Sequence, residues 1–425
     1  MKKTLVAIAA LAATAAFAQS SVTIYGVADI GYGAKQIEGN TGTVLQKQTG
    51  VMDGGYAGNR IGFKGTEDLG AGKAVGFVIE QGISPTNGAL FGVRTANAGM
   101  QLDGFAANTG KFDQGTGGGY SQGTNRQSYV SYADKSLGEV RAGYQYAAVY
   151  EVSTLMGFTT MSEGVIGGSS SHTHGQGAIG GTRANAIQYI SPRMSGFGLA
   201  IQSGSGANRD TTEFSDATKN TANGQAQAKN KRSSIKVDFA EGPWTAAYAH
   251  TSFANATGAV ASGTKPFNVY GALTSTGSTA ATTNTAYDST LNQIAGAYTG
   301  SNWKVGYQRN SGTYNVSAED TVTTATYAKL NKIGAYNIKS QRISGMYTIG
   351  QFDLIAGQGT STVDSADGVR QMDLKESQVG AIYNLSKRSK LYMYNGSWTD
   401  SATAQASATG MYKAKQTILG LYHTF

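Results

Sequence analysis

Residues 232–240 read RSSIKVDFA, which places Ile235, Val237 and Phe239 on one face of an extended strand and Ser234, Lys236 and Asp238 on the other. Residues 302–308 repeat the rule, with Trp303, Val305 and Tyr307 opposite Lys304, Gly306 and Gln308. So do residues 196–202, with Phe197, Leu199 and Ile201 opposite Gly198, Ala200 and Gln202. Near the start the division is looser: Val22, Ile24, Ala28 and Ile30 face away from Thr23, Tyr25 and Asp29. The stretch SKLYMYNGSW does not divide into two faces by residue type. The pattern predicts strands near 22–32, 58–66, 73–81, 126–133, 139–146, 184–191, 196–203, 232–239, 244–252, 290–299, 302–311, 339–348, 351–360, 375–384, 389–399 and 412–425, an even count of sixteen.

The connections alternate in length. Seven are short and turn-like: 67–72, 134–138, 191–196, 240–243, 299–302, 349–351 and 384–389. Between them run eight longer segments rich in Gly, Ser, Thr and Asn, at 33–57, 82–125, 147–183, 204–231, 253–289, 312–338, 361–374 and 400–411. Strict short-long alternation puts every short turn at one end of an up-and-down sheet and every long loop at the other. A transmembrane barrel has that asymmetry and a two-sheet sandwich has no reason for it.

The chain ends on TILGLYHTF, with Leu419, Leu421, His423 and Phe425 in step up to the last residue. An even number of antiparallel strands brings both ends of the chain to the short-turn side, so the last strand is expected to pair with the first and remove the open edges. An open edge in lipid leaves each backbone N–H and C=O without a partner, at several kcal/mol apiece. Phe425 is thus read as closing the barrel and as adding a ring to the aromatic belt at the membrane boundary.

Composition narrows the choice further. Residues 1–18 have two lysines, an apolar stretch and a small-x-small site at Ala16-Phe17-Ala18, the organisation of a cleaved secretory signal peptide, so one barrel domain is expected over 19–425. Without that segment the net charge falls from +8 to +6, a diffuse excess with only short basic runs at 229–232 and 386–390, which gives no reason to expect nucleic acid as a partner. The chain has no Cys, which removes disulfides, thiolate metal sites and thiol nucleophiles together. After the signal no run of about 18 apolar residues occurs, which excludes a spanning helix but leaves a barrel open. Mean hydropathy of −0.27 with 59 Gly and 24 Tyr suits such a barrel, and equally a secreted all-β adhesin.

Signals of catalysis are scarce. The four histidines, His172, His174, His250 and His423, form no H-E-x-x-H. His172 and His174 are two residues apart in a polar loop with no nearby carboxylate, so no metal and no cofactor are expected.

Several stretches, taken together, resemble the general trimeric porins of Gram-negative bacteria, in the beta-proteobacterial branch of neisserial, bordetellar and comamonad porins. They are QSSVTIYGVADIGY, NRIGFKGTEDLGAGKAVGFVIEQG (59–82), SYVSYADKSLGEVRAGYQYA (128–147), RANAIQYISPRMSGFGLAIQ (183–202), YNLSKRSKLY (383–392) and the closing GLYHTF. The resemblance implies a sixteen-stranded outer-membrane barrel, a homotrimer, and a third loop, here 147–183, folded into the lumen. It also implies that Arg60, Arg126 and Arg183 form a basic wall at the constriction, as in anion-preferring members. One departure is Gly143-Tyr144-Gln145, where the family usually has Gly-Arg-Gln, so the implied anion preference is mild to moderate.

The physics of such a wall is general: guanidinium groups stay charged at physiological pH, and several of them in a narrow opening concentrate anions and oppose cations. Lys64 and Arg141 fall on the polar face by alternation and are secondary pore-lining candidates, as are Glu151 and Glu163 in the third loop. The expected function is passive diffusion of small hydrophilic solutes and anions through the outer membrane, without catalysis, among lipid and lipopolysaccharide. Two alternatives stand beside it: a substrate-specific channel using Tyr146, Tyr150 and Phe158 as an aromatic slide, and an outer-membrane adhesin or enzyme barrel.

Overall fold

The computed structural model describes residues 21–39, 42, 44–53, 55–86, 89–90, 125–155, 183–205, 229–258, 285–316, 334–364, 368–401 and 411–425. Its strands are β1 (Ser21–Gly39), β2 (Val44–Asp53), β3 (Arg60–Gly70), β4 (Lys73–Ser84), β5 (Ala89–Leu90), β6 (Asn125–Asp134), β7 (Gly138–Tyr146), β8 (Arg183–Ile190) and β9 (Phe197–Ser205). They continue with β10 (Lys229–Glu241), β11 (Trp244–Gly258), β12 (Thr285–Thr299), β13 (Trp303–Val316), β14 (Gly334–Ile349), β15 (Phe352–Asp364), β16 (Arg370–Asn384), β17 (Ser389–Asp400) and β18 (Met411–Thr424). Helix α1 (Ala148–Thr154) lies between β7 and β8.

All pairings are antiparallel, and the sheet closes on itself. β18 runs in register along β1 from Val27↔Thr424 to Ile37↔Ala414, and Phe425 completes the seam by exchanging backbone hydrogen bonds with Gly26, at 3.1 and 3.3 Å. Its ring lies over Gly26, where a Cβ would come within 2.2 Å of the ring, so only glycine admits that closure. The wall has sixteen strand positions, because β2 and β3 share one and β5 pairs only two residues at the end of β4. Each of the sixteen predicted strands is present. β2 is new: it sits inside the stretch 33–57 read from sequence as a loop.

β2 and β3 pair with different halves of β1, and the gap between them is filled by a side chain. Ile30 pairs with Asp53 and Val27 with Arg60, which leaves Asp29 opposite no backbone. The Asn59 amide takes that place: its Nδ2 donates to the Asp29 carbonyl at 2.9 Å and its Oδ1 accepts from the Asp29 amide at 2.5 Å. A buried, unpaired ladder would cost about 1–3 kcal/mol per group, which is the reason for an amide side chain here.

Alternation sorts the wall into two surfaces. Ile24, Val130, Ile187, Ile294, Val379, Leu419 and Leu421 point outward and are exposed, as lipid-facing residues must be. Burial divides the stretch that residue type left undivided: Tyr392, Tyr394 and Trp398 face inward and Leu391 and Met393 outward. At the short-turn end, outward rings make contacts around the rim: Phe197 with Phe239 at 4.9 Å, Trp244 with Tyr298 at 4.6 Å, Tyr298 with Trp303 at 5.1 Å, and Phe352 with Tyr383 at 4.7 Å. This is an interfacial aromatic girdle, where a ring with one apolar and one wet side is best placed. The turns below it are tight: Gly242 and Gly350 adopt φ of 57° and 59°, the left-handed geometry that lets a two-residue hairpin follow the strand twist.

Candidate pore constriction

Two segments leave the wall and fold into the lumen. The first is 55–59, between β2 and β3. Tyr56 lies among the inward rings of Tyr392, Tyr394 and Tyr422 at centroid distances of 6.0, 6.4 and 4.8 Å. Asp29 pins the segment: its fully buried carboxylate accepts from the amides of Tyr56 and Ala57 at 2.7 and 2.6 Å and from the Tyr392 hydroxyl at 2.6 Å. Met52, Ile355, Ile382 and Ile418 pack around the same rings.

The second segment starts the third loop. After β7 the chain turns inward, and α1 lies against β10, β11 and β12 rather than the strands that flank it in sequence. Ala148, Val149 and Val152 are buried on the helix, and the inner faces of β11 and β12 carry the small buried residues Ala247, Ala249 and Ala295, which leave room for it. Glu151 of α1 forms an ion pair with Lys236 of β10, tying the loop to the wall. The inward loop implied by the family resemblance is therefore present over 147–155. Glu163, Phe158, His172 and His174 lie outside the described residues.

The charged groups meet beside these segments. Glu80, on the inner face of β4 and almost wholly buried, accepts from Arg126 Nε at 2.6 Å and from the Tyr25 hydroxyl at 3.1 Å. Arg60 Nη1 lies 4.0 Å from the same carboxylate, and its Nε donates to the Gly58 carbonyl at 3.1 Å. Arg126 Nη2 also donates to the Tyr146 hydroxyl at 3.0 Å, and the Tyr146 ring stacks on Tyr150 of α1 at 4.4 Å. Two cations and one anion thus share a space bounded by both inward segments.

Arg126 reaches this site through a defect in the ladder. Val130 and Tyr132 on β6 are outward, so strict alternation would send Arg126 outward as well. Between β4 and β6 the register slips, with Glu80 opposite Gln127 and Gln81 opposite Asn125, which makes Arg126 the extra residue of a bulge. The bulge re-aims its side chain onto Glu80.

The other candidates separate. Lys64 faces inward and sits 5.4 Å from the Tyr25 ring, next to the cluster. Arg141 is inward too but engages Glu139 at 2.8 Å and lies 5.1 Å from the Tyr129 ring. Arg183 pairs with Tyr146 in the ladder, and its side chain lies outside the described residues. Glu80 was not singled out from sequence, although a carboxylate directly after the apolar run AVGFVI was its visible signal. Among the described residues no group of three His, Cys, Asp or Glu is placed to hold a metal.

The sequence profile of Gram-negative porins matches residues 4–402. The chain belongs to the Gram-negative porin family. Outer membrane porin protein 32 of Delftia acidovorans is 34% identical over 203 residues, which cover 46% of this chain and 48% of that one. An outer membrane porin protein of Bordetella pertussis is 38% identical over 120 residues, covering 24% of this porin and 31% of the relative. The porin thus spans about half the length of the first of these curated relatives and under a third of the second. Among solved structures, an anion-selective porin from Comamonas acidovorans superimposes with a TM-score of 0.61 at 18% identity, covering 96% of this porin and 100% of that chain. The trimer form of OmpT from Vibrio cholerae gives a TM-score of 0.59 at 11% identity, over 96% and 99% of the two chains. At these identities the structures speak for the barrel fold, and the family locates the porin in the outer membrane.

Proposed function

We propose that this porin is a general diffusion channel that passes small hydrophilic solutes and ions, with a mild to moderate preference for anions. The observation that carries this reading is the pair of inward guanidinium groups, Arg60 and Arg126, against the carboxylate of Glu80 among the described residues. An excess positive charge in a narrow wet opening favours anion entry. Arg183, which opens β8 opposite Tyr146, is the third basic group of the reading. The structural neighbour described as anion-selective points the same way, at 18% identity. The functional form is read as a homotrimer without catalytic activity or cofactor, made from residues 19–425 after loss of the 18-residue signal. A trimer form is named for the Vibrio cholerae neighbour.

A substrate-specific channel is the second reading, favoured by the Tyr146–Tyr150 stack beside the arginines. Swelling of proteoliposomes separates the two. A general channel admits pentoses, hexoses and disaccharides at rates that fall smoothly with size and never saturate. Rapid entry of one solute out of size order, saturating with concentration, would establish the specific channel, and no entry of any solute would refute both.

A further inference from the structure

Four buried polar atoms without a hydrogen-bond partner share one patch of the inner wall, on β7 and β8. Gln188 is 1% exposed, and among the described residues neither its Oε1 nor its Nε2 has a partner. Arg141, its neighbour in the β7–β8 ladder, donates from Nη2 to Glu139 at 2.8 Å and leaves its Nε buried and unpartnered. Further along β7, Gln145 donates from Nε2 to the Ala186 carbonyl at 2.8 Å, which leaves its Oε1 in the same condition. Native structures satisfy nearly all such atoms, so a cluster of them points to an occupant.

The wall leaves room beside them. The next inward row across β7, β8 and β9 reads Gly143, Ala186 and Gly204, so only one methyl group projects from it. With strands about 4.8 Å apart, this side-chain-poor depression is about 10 Å wide. Arg141 and Gln188 border it on the short-turn side and Gln145 on the long-loop side. The Arg141 side chain is 24% exposed, so the depression meets the lumen there. Its charge is balanced: Glu139 neutralises Arg141 through their ion pair, and an anion held in the depression would be buried without compensation.

We infer that this depression is a binding site for small neutral amides, the class of urea and the primary carboxamides. Two of the four atoms are donors and two are acceptors, and one planar amide group complements them all. Its N–H and C=O form a reciprocal pair with the Gln188 amide, its second N–H donates to Gln145 Oε1, and the other lone pair of its oxygen accepts from Arg141 Nε. A carboxylate or a ketone has no hydrogen to offer the two glutamine oxygens. The inference rests on the wet lumen of the channel reading and names one solute class within it.

The test uses the purified full-length barrel in deuterated detergent and saturation-transfer NMR on the methyl signals of acetamide, acetate and acetone, which share a shape and differ in donors and charge. Acetamide should bind saturably and be displaced by urea, while acetate and acetone bind roughly tenfold more weakly, the worth of two lost hydrogen bonds. Gln188→Met and Gln145→Met, which nearly conserve side-chain volume, should each weaken acetamide by about tenfold. Gln378→Met removes an inward amide from β16, on the opposite side of the barrel, and should change nothing. Because Gln188→Met also removes an unpaired buried amide, the ligand-free variant should melt no lower than the parent. The readout involves no ion flux, so a failure here is distinct from a failure of the channel reading. Acetone bound as tightly as acetamide, or a Gln188→Met barrel that binds acetamide unchanged, would overturn the inference. Preferred binding of acetate would overturn it in favour of an anion site, and no binding of any probe would leave the four atoms to ordered water. Should one glutamine variant fail to fold, the other decides.

Discussion

Asp29→Ala will destabilise the barrel and blunt its ion selectivity together. The Asp29 carboxylate receives three hydrogen bonds in a site with no solvent access, from the Tyr56 and Ala57 amides and the Tyr392 hydroxyl. Truncation strands all three donors in the dry space between the tyrosine rings, a loss of about 3–5 kcal/mol by the usual cost of unpaired buried groups. The consequence reaches the pore because segment 55–59 leads straight into Arg60, whose Nε is held by the Gly58 carbonyl. A freed segment frees that guanidinium. The expected results are a lower unfolding temperature in detergent and a noisier, less selective single channel, while Asp29→Asn, which keeps an acceptor, should lose less. An unchanged melting curve with unchanged selectivity would remove Asp29 from this role.

Glu80→Gln is expected to raise anion preference. It replaces the carboxylate that Arg60 and Arg126 share by a neutral group of the same shape, which still accepts from the Tyr25 hydroxyl. The local charge rises by one unit. For an anion passing about 8 Å away, at an effective dielectric constant of 20–80, this is worth roughly 0.5–2 kcal/mol, or about two- to thirtyfold in occupancy. The same change leaves Arg126 without its ionic partner, so a small fall in thermal stability should accompany the gain. Reversal potentials that stay in place or move toward cation preference would show that Glu80 does not set the balance.

The wall of this porin was legible in its sequence because lipid on one side and water on the other impose a period of two on every strand. The seam was legible for a related reason: an even strand count leaves the two termini as neighbours, and Phe425 does pair with Gly26. What escaped reading breaks the period. β2 has only weak amphipathy, with Gln46, Gln48 and Lys47 close to its apolar residues, so it looked like loop. The 55–59 segment is held by contacts between residues more than three hundred positions apart, Asp29 with Tyr392, which no local pattern reveals. Arg126 was found through the family resemblance, whereas alternation alone would have sent it into lipid, because a one-residue bulge has no signature in residue types. Glu80 escaped because a basic wall directs attention to positive charge, and the partner that balances it lies on another strand.

The account stands on the balance of charge at the constriction, and reversal potential in a planar bilayer measures that balance. Under a tenfold potassium chloride gradient the native channel should reverse on the anion side of zero, and Arg60→Ser with Arg126→Ser should bring it close to zero or onto the cation side. A native channel that reverses on the cation side, or a double variant indistinguishable from it, would contradict the account.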